Sequence, residues 1–128
     1  MKLKSISYIC LYTSDLTEAV RFYRDVLGLE PISRNEDPHS SEFYAFNTGT
    51  TLFAIEPGGV KKPRMKTKAE NPVLLQFRAE SIEHLEEINR YLEEKGVKLY
   101  DRTRQMTFGL ITNFCDPDGN KVEVLFQS

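Results

Sequence analysis

Residues 14–28 read Ser-Asp-Leu-Thr-Glu-Ala-Val-Arg-Phe-Tyr-Arg-Asp-Val-Leu-Gly, and this stretch predicts a capped amphipathic helix. Asp15 is a residue type that caps helix N-termini, and Glu18, three positions later, is placed to return the hydrogen bond. Gly28 ends the helix because glycine readily adopts the left-handed conformation found at helix C-termini. The apolar residues recur at helical spacing and form one stripe, which comprises Leu16, Ala19, Val20, Tyr23, Val26 and Leu27.

Strand-like segments surround this helix in an order that occurs twice. Residues 5–13 precede it, and residues 29–34, 42–48 and 51–56 follow it, with the β-branched and aromatic types that favour strands. The same order then returns as a strand at 73–79, a helix at 81–95 and strands at 97–103, 108–115 and 121–126. The segment Asp116-Pro-Asp-Gly-Asn120 predicts a tight turn between the last two strands.

This order predicts an α+β fold built from two βαβββ modules. The modules occupy residues 1–57 and 72–128, and a basic linker that contains proline and glycine occupies residues 58–71. Each sheet has a helix on one face, so we expect the two modules to cover each other's remaining faces. The expected result is one structural domain, in which two cupped, mostly antiparallel four-stranded sheets form an eight-stranded pair of half-barrels.

Composition limits the possible functions. The 128 residues include 17 basic and 19 acidic side chains, and this balance argues against binding nucleic acid by phosphate neutralisation. No apolar run approaches the roughly 18–20 residues that a membrane span needs, and no secretory leader is expected. Cys10 and Cys115 lie in apolar strands, so we expect free thiols and a cytoplasmic protein.

Two motifs resemble the vicinal oxygen chelate superfamily, which includes glyoxalase I, bleomycin-resistance and fosfomycin-resistance proteins, and extradiol dioxygenases. Residues 14–28 resemble its opening helix, and residues 114–124, Phe-Cys-Asp-Pro-Asp-Gly-Asn-Lys-Val-Glu-Val, are similar to its closing turn and strand. The resemblance covers essentially the whole chain. It implies paired βαβββ modules, a homodimer and a divalent metal held in the cup.

The resemblance also implies where metal ligands would lie. The corresponding positions, on the first and last strands of each module, are Tyr8, Phe53, Leu74 and Glu123. The family has His at the positions of Tyr8 and Leu74, and Glu or His at that of Phe53. Leucine and phenylalanine have no lone pair to donate and neutral tyrosine is a poor ligand, so only Glu123 remains of the set. We therefore expect a metal-free cup without a cofactor, and a divalent metal is the alternative.

Strand alternation predicts which side chains line the cup. The predicted ligand-binding residues give apolar walls and a few polar groups, namely Tyr8, Tyr12, Phe53, Leu74, Gln76, Arg78, Glu123 and Leu125. This mixture is typical of a pocket for a small amphipathic or aromatic molecule. Glu123 is a candidate catalytic base, or an inherited residue whose partner is Arg78 or a hydroxyl.

Three functions stay open at this point. A binding protein similar to the bleomycin-resistance members would hold its ligand without a metal. A metal-dependent lyase, isomerase or dioxygenase of the superfamily would need further donors besides Glu123. A structural or regulatory domain would have its cavity filled by the aromatic side chains.

Overall fold

The structure is a computed structural model that describes residues 1–33, 35, 43–61, 68–69 and 72–128. The chain divides into two compact units, Met1–Lys61 and Lys62–Ser128, and each contains a four-stranded sheet. The boundary falls within the predicted linker at 58–71, of which residues 62–67 and 70–71 lie outside the described residues. No helix in these ranges is long and apolar enough to span a membrane.

The first unit is a βαβββ module with the strand order β1-β4-β3-β2. Its elements are β1 (Tyr8–Thr13), α1 (Leu16–Val20) with a π-helical continuation (Arg21–Val26), β2 (Glu30–Pro31), β3 (Tyr44–Asn47) and β4 (Leu52–Pro57). Strand β1 runs parallel to β4, and the other pairs are antiparallel. The predicted cap is confirmed, since the Asp15 side chain accepts a hydrogen bond from the Glu18 backbone N–H at 3.1 Å.

The helix of the first unit covers one face of this sheet. Tyr23 is 1% exposed, and its ring centroid lies 5.0 Å from that of Phe53 in edge-to-face geometry. The Phe53 ring in turn stacks on Phe46 at 6.1 Å. Leu11 and Ile55 are buried on the same face by strand alternation.

The second unit repeats the pattern with the strand order β5-β8-β7-β6. Its elements are β5 (Leu74–Arg78), α2 (Ile82–Glu94), β6 (Asp101–Met106), β7 (Gly109–Cys115) and β8 (Lys121–Phe126). Strand β5 runs parallel to β8, and α2 buries Leu85, Asn89 and Leu92. The repeated order of elements confirms the predicted α+β class with two βαβββ modules.

The turn between β7 and β8 is organised by one buried carboxylate. Asp116 Oδ1 accepts hydrogen bonds from the backbone N–H groups of Asp118 at 3.0 Å and Asn120 at 2.8 Å. Asp116 Oδ2 accepts a third from Asn120 Nδ2 at 2.9 Å, and Asp116 is 2% exposed. The turn predicted at residues 116–120 is confirmed. It leads directly into β8, the strand that carries Glu123.

Candidate functional site

The sheet face opposite the helix of the first unit carries the polar candidates. Because β1 and β4 are parallel and in register, Tyr8, Cys10 and Tyr12 lie beside Leu52, Ala54 and Glu56, respectively. Residues paired in this way point to the same side of a sheet. We call the surface formed by Tyr8, Cys10, Tyr12 and Glu56 the tyrosine face.

Glu56 is the centre of a hydrogen-bonded cluster on the tyrosine face. The Tyr8 hydroxyl donates to Glu56 Oε2 at 3.1 Å, and the Cys10 thiol donates to the same oxygen at 3.2 Å. The register partner of Tyr8 is Leu52, four residues before Glu56, and four strand residues span about 13 Å. The phenol and the carboxylate therefore extend toward each other along the strands, past the register pair Cys10 and Ala54.

Both donors of this cluster hold their protons. Desolvation and then the hydrogen bond to Glu56 raise the pKa of Tyr8 to about 12. The same two causes raise the pKa of the Cys10 thiol to about 12. At neutral pH both donors of the cluster are therefore neutral. Each would have to lose its proton to ligate a metal, because metals bind the thiolate and the ionised phenol.

We expect Cys10 to be a poor nucleophile, because the thiolate is the reactive form. At pH 8, iodoacetamide should alkylate Cys10 about a hundredfold more slowly than a free cysteine, after allowing for the higher nucleophilicity of a high-pKa thiolate. Glu56→Gln removes the negative charge beside the thiol and should speed the reaction severalfold. Peptide mass mapping over time measures the rate, and Glu30→Gln, at an exposed position of β2, is the control. A wild-type rate equal to that of free cysteine would contradict this account.

Phe53 does not share a face with Tyr8, so the sequence-based placement of this residue is wrong. Phe53 is in register with Ile9, is 5% exposed and contacts Tyr23 on the face covered by the helix. The residue of β4 that meets Tyr8 is Glu56. The two sheet faces that carry the candidate residues therefore include a second carboxylate besides Glu123. This residue is Glu56, and the sequence-based prediction missed it.

The corresponding face of the second unit holds the other candidates. Register pairs Leu74 with Lys121, Gln76 with Glu123 and Arg78 with Leu125, so the expected alternation along β5 and β8 is observed. We call the surface formed by Leu74, Gln76, Arg78, Glu123 and Leu125 the Glu123 face.

Glu123 has a neutral partner on this face. Gln76 Nε2 donates to Glu123 Oε1 at 2.8 Å, and Glu123 is 5% exposed. Arg78 does not pair with Glu123 as anticipated, because its Nη1 donates to Gln127 Oε1 at 3.0 Å. Gln76 is the register neighbour of Glu123, whereas Arg78 lies one alternation further along the strand.

The side chains on these two faces do not fit the divalent metal that the family resemblance implies. Within residues 1–33, 35, 43–61, 68–69 and 72–128, no three His, Cys, Asp or Glu side chains come together in a way that could hold a metal ion. Leu74 has no donor atom, and Tyr8 and Cys10 could ligate a metal only after losing protons whose pKa values are raised to about 12. A tight site for such an ion needs three or four N, O or S donors.

Comparison with known proteins places the chain in a family. A family model described as the Glyoxalase/Bleomycin resistance protein/Dioxygenase superfamily matches residues 5–124. The chain belongs to this superfamily. Its two βαβββ modules are the fold expected of a member. The family resemblance of residues 14–28 and 114–124 is therefore confirmed for both family and fold.

One protein is similar to this chain in sequence, and an enzyme and a binding protein are similar to it in fold. Protein YraH of Bacillus subtilis (strain 168) is 32% identical over an alignment of 133 positions that covers 97% of each chain. Lactoylglutathione lyase from Agrobacterium tumefaciens superposes with a TM-score of 0.73 at 23% identity, covering 98% of this chain and 95% of that one. TnmS3, an antibiotic binding protein from Streptomyces sp. CB03234, superposes with a TM-score of 0.75 at 19% identity, covering 100% and 99%. These two structural likenesses show the fold alone.

Proposed function

We propose that this superfamily member binds a small amphipathic or aromatic molecule and has no resident metal. The observation that supports the proposal is the cluster on the tyrosine face, where Glu56 accepts hydrogen bonds from a protonated phenol and a protonated thiol. Tyr8 is 46% exposed and Tyr12 is 62% exposed, so aromatic surface is accessible beside a polar group. That combination suits a ligand with an aromatic body and one polar group.

A metal-dependent lyase, isomerase or dioxygenase is the alternative. In such enzymes the ion polarises an oxygen of the substrate as a Lewis acid. Glu123 could act there as a base, but its Oε1 already accepts a hydrogen bond from Gln76. The alternative also has to draw ligands from positions such as Leu74, which has no donor atom. We therefore place binding ahead of metal catalysis.

A metal titration tests the proposal. Wild-type protein, first stripped with a chelator, should show no stoichiometric binding of Zn²⁺ or Ni²⁺ tighter than about 0.1 mM by isothermal titration calorimetry. Tyr8→His places an imidazole beside Cys10 and Glu56 and should bind Zn²⁺ at least about tenfold more tightly than wild type. Tyr8→Phe is the matched control, because it keeps the ring and adds no nitrogen.

A ligand screen is the second arm of the same test. A planar aromatic alcohol, 1-naphthalenemethanol, should raise the melting temperature of the wild-type protein, because a ligand that prefers the folded state stabilises it. Tyr12→Ala removes exposed aromatic surface and should reduce the shift. Stoichiometric metal in the wild type would overturn the proposal in favour of an enzyme. Failure of both metal and aromatic compounds to bind would overturn it in favour of a structural role.

A further inference from the structure

We infer that Glu56 and the rings of Tyr8 and Tyr12 form a subsite for the cationic ammonium group of the ligand. The inference rests on the proposed binding function and adds the chemical class of the ligand. All three residues belong to the tyrosine face, within the first unit. The ligand would carry a positively charged amine on an aromatic or otherwise apolar body.

The first support is the state of the Glu56 carboxylate. Both hydrogen bonds that it accepts end on Oε2 and come from neutral donors. Within the part of the chain that the structure describes, no hydrogen bond ends on Oε1, and no ion pair includes Glu56. Its negative charge is thus held in position by the protein and is not balanced by a described cation. A charge of this kind attracts a ligand of opposite sign.

The second support is the position of the two tyrosine rings. Tyr12 is the register neighbour of Glu56, so their backbones lie about 4.8 Å apart and both side chains rise from the same face. Tyr8 donates its hydroxyl hydrogen to the carboxylate, which increases the electron density of its ring. Cations are attracted to the faces of such rings. The pair of exposed rings beside one carboxylate therefore favours a cation over an anion or a neutral group.

The third support is the floor between the rings. Cys10 lies between Tyr8 and Tyr12 on β1 and is partly exposed, whereas its register partner Ala54 is 0% exposed. The neutral Cys10 thiol offers few polar contacts to a small hydrated ion such as Na⁺. It is a suitable neighbour for the carbon atoms of an organic ammonium, whose charge is spread over a larger apolar surface.

Three probes with the same aromatic body and different charges test the inference. They are 1-naphthylmethylamine, which is protonated at pH 7, neutral 1-naphthalenemethanol and anionic 1-naphthoate. Titration followed by isothermal titration calorimetry at low salt should rank the amine first and the carboxylate last. We expect the amine to bind about fivefold to tenfold more tightly than the alcohol, as is typical of one cation site at a partly exposed surface.

Glu56→Gln separates charge recognition from general aromatic binding. The glutamine oxygen can still accept hydrogen bonds from Tyr8 and Cys10, so the fold is retained, and unfolding in urea verifies this. The variant should bind the amine and the alcohol equally, with the affinity for the alcohol unchanged. Glu30→Gln, which removes an equivalent charge from the exposed strand β2, should keep the wild-type preference.

The outcomes distinguish the inference from the function on which it rests. Equal binding of all three probes by the wild type, or a preference that survives Glu56→Gln, would overturn the cation subsite and leave the binding function standing. Absence of binding by every probe would overturn the binding function itself, in favour of an enzyme if the protein holds stoichiometric metal and of a structural role if it does not. If Glu56→Gln loses the preference for the amine and Glu30→Gln keeps it, the result supports both the cation subsite and the binding function.

Discussion

Asp116→Ala is expected to lower the free energy of unfolding by about 3 kcal/mol, because the substitution leaves buried donors without an acceptor. Asp116 accepts two backbone hydrogen bonds and one side-chain hydrogen bond inside the turn that joins β7 to β8. The residue is 2% exposed and Asn120 is 4% exposed, so water cannot easily replace the lost carboxylate oxygens. A buried N–H that loses its partner has a larger effect than the loss of an exposed hydrogen bond.

Urea unfolding followed by circular dichroism measures this effect, and two variants make it specific. Asp116→Asn keeps one oxygen for the backbone donors but turns an NH₂ group toward Asn120 Nδ2. Its free energy of unfolding should therefore lie between those of the wild type and Asp116→Ala. Glu94→Ala, at an exposed position of α2, removes a carboxylate from the same unit and should change the stability by less than about 0.5 kcal/mol. An effect of Asp116→Ala no larger than that of Glu94→Ala would show that the turn does not depend on this carboxylate.

The features that the sequence predicts well are those whose partners are close along the chain. The Asp15 cap reaches three residues ahead, and Asp116 acts on residues up to four positions away. In both cases the residue type is suited to a local hydrogen bond with the backbone. Such signals need no knowledge of the tertiary structure, which is why the order of helices and strands and the final turn were predictable.

The register between strands was not predictable, and it decides which residues form the candidate site. Tyr8 and Glu56 are 48 positions apart in the sequence, and their contact depends on how β1 pairs with β4. Four consecutive apolar residues in β4, Leu52, Phe53, Ala54 and Ile55, give no alternation that would identify the inner face. A shift of one residue exchanges the two faces of a strand. Phe53 was therefore placed on the wrong face.

The partner of Glu123 illustrates the same limit in the second unit. Alternation correctly places both Gln76 and Arg78 on its face, but it does not say which of them is adjacent. The register sets Gln76 opposite Glu123, and the 2.8 Å hydrogen bond follows from that pairing. By charge alone, Arg78 was the expected partner of Glu123. The strand register instead places the Gln76 amide within hydrogen-bond distance.

Phe53→Ala is expected to lower the free energy of unfolding by about 3–5 kcal/mol, as is typical when a buried aromatic ring is removed from a core. Phe53 is 5% exposed and lies between the rings of Tyr23 and Phe46. Removing it leaves a cavity and takes away two ring contacts under the helix of the first unit. Tyr8→Ala, on the opposite face and 46% exposed, should cost less than about 1 kcal/mol.

The stabilities of Phe53→Ala and Tyr8→Ala test the assignment of the two faces without a ligand, and probe binding adds a second measurement. Phe53→Leu refills most of the cavity and should restore much of the stability, whereas the preference for a cationic probe should be unchanged in that variant. Tyr8→Ala should show the reverse, with stability nearly intact and the affinity for 1-naphthylmethylamine reduced. If Phe53→Ala proved as mild as Tyr8→Ala, the ring could not lie in the helix-covered core, and the register that brings Glu56 to Tyr8 would be wrong as well.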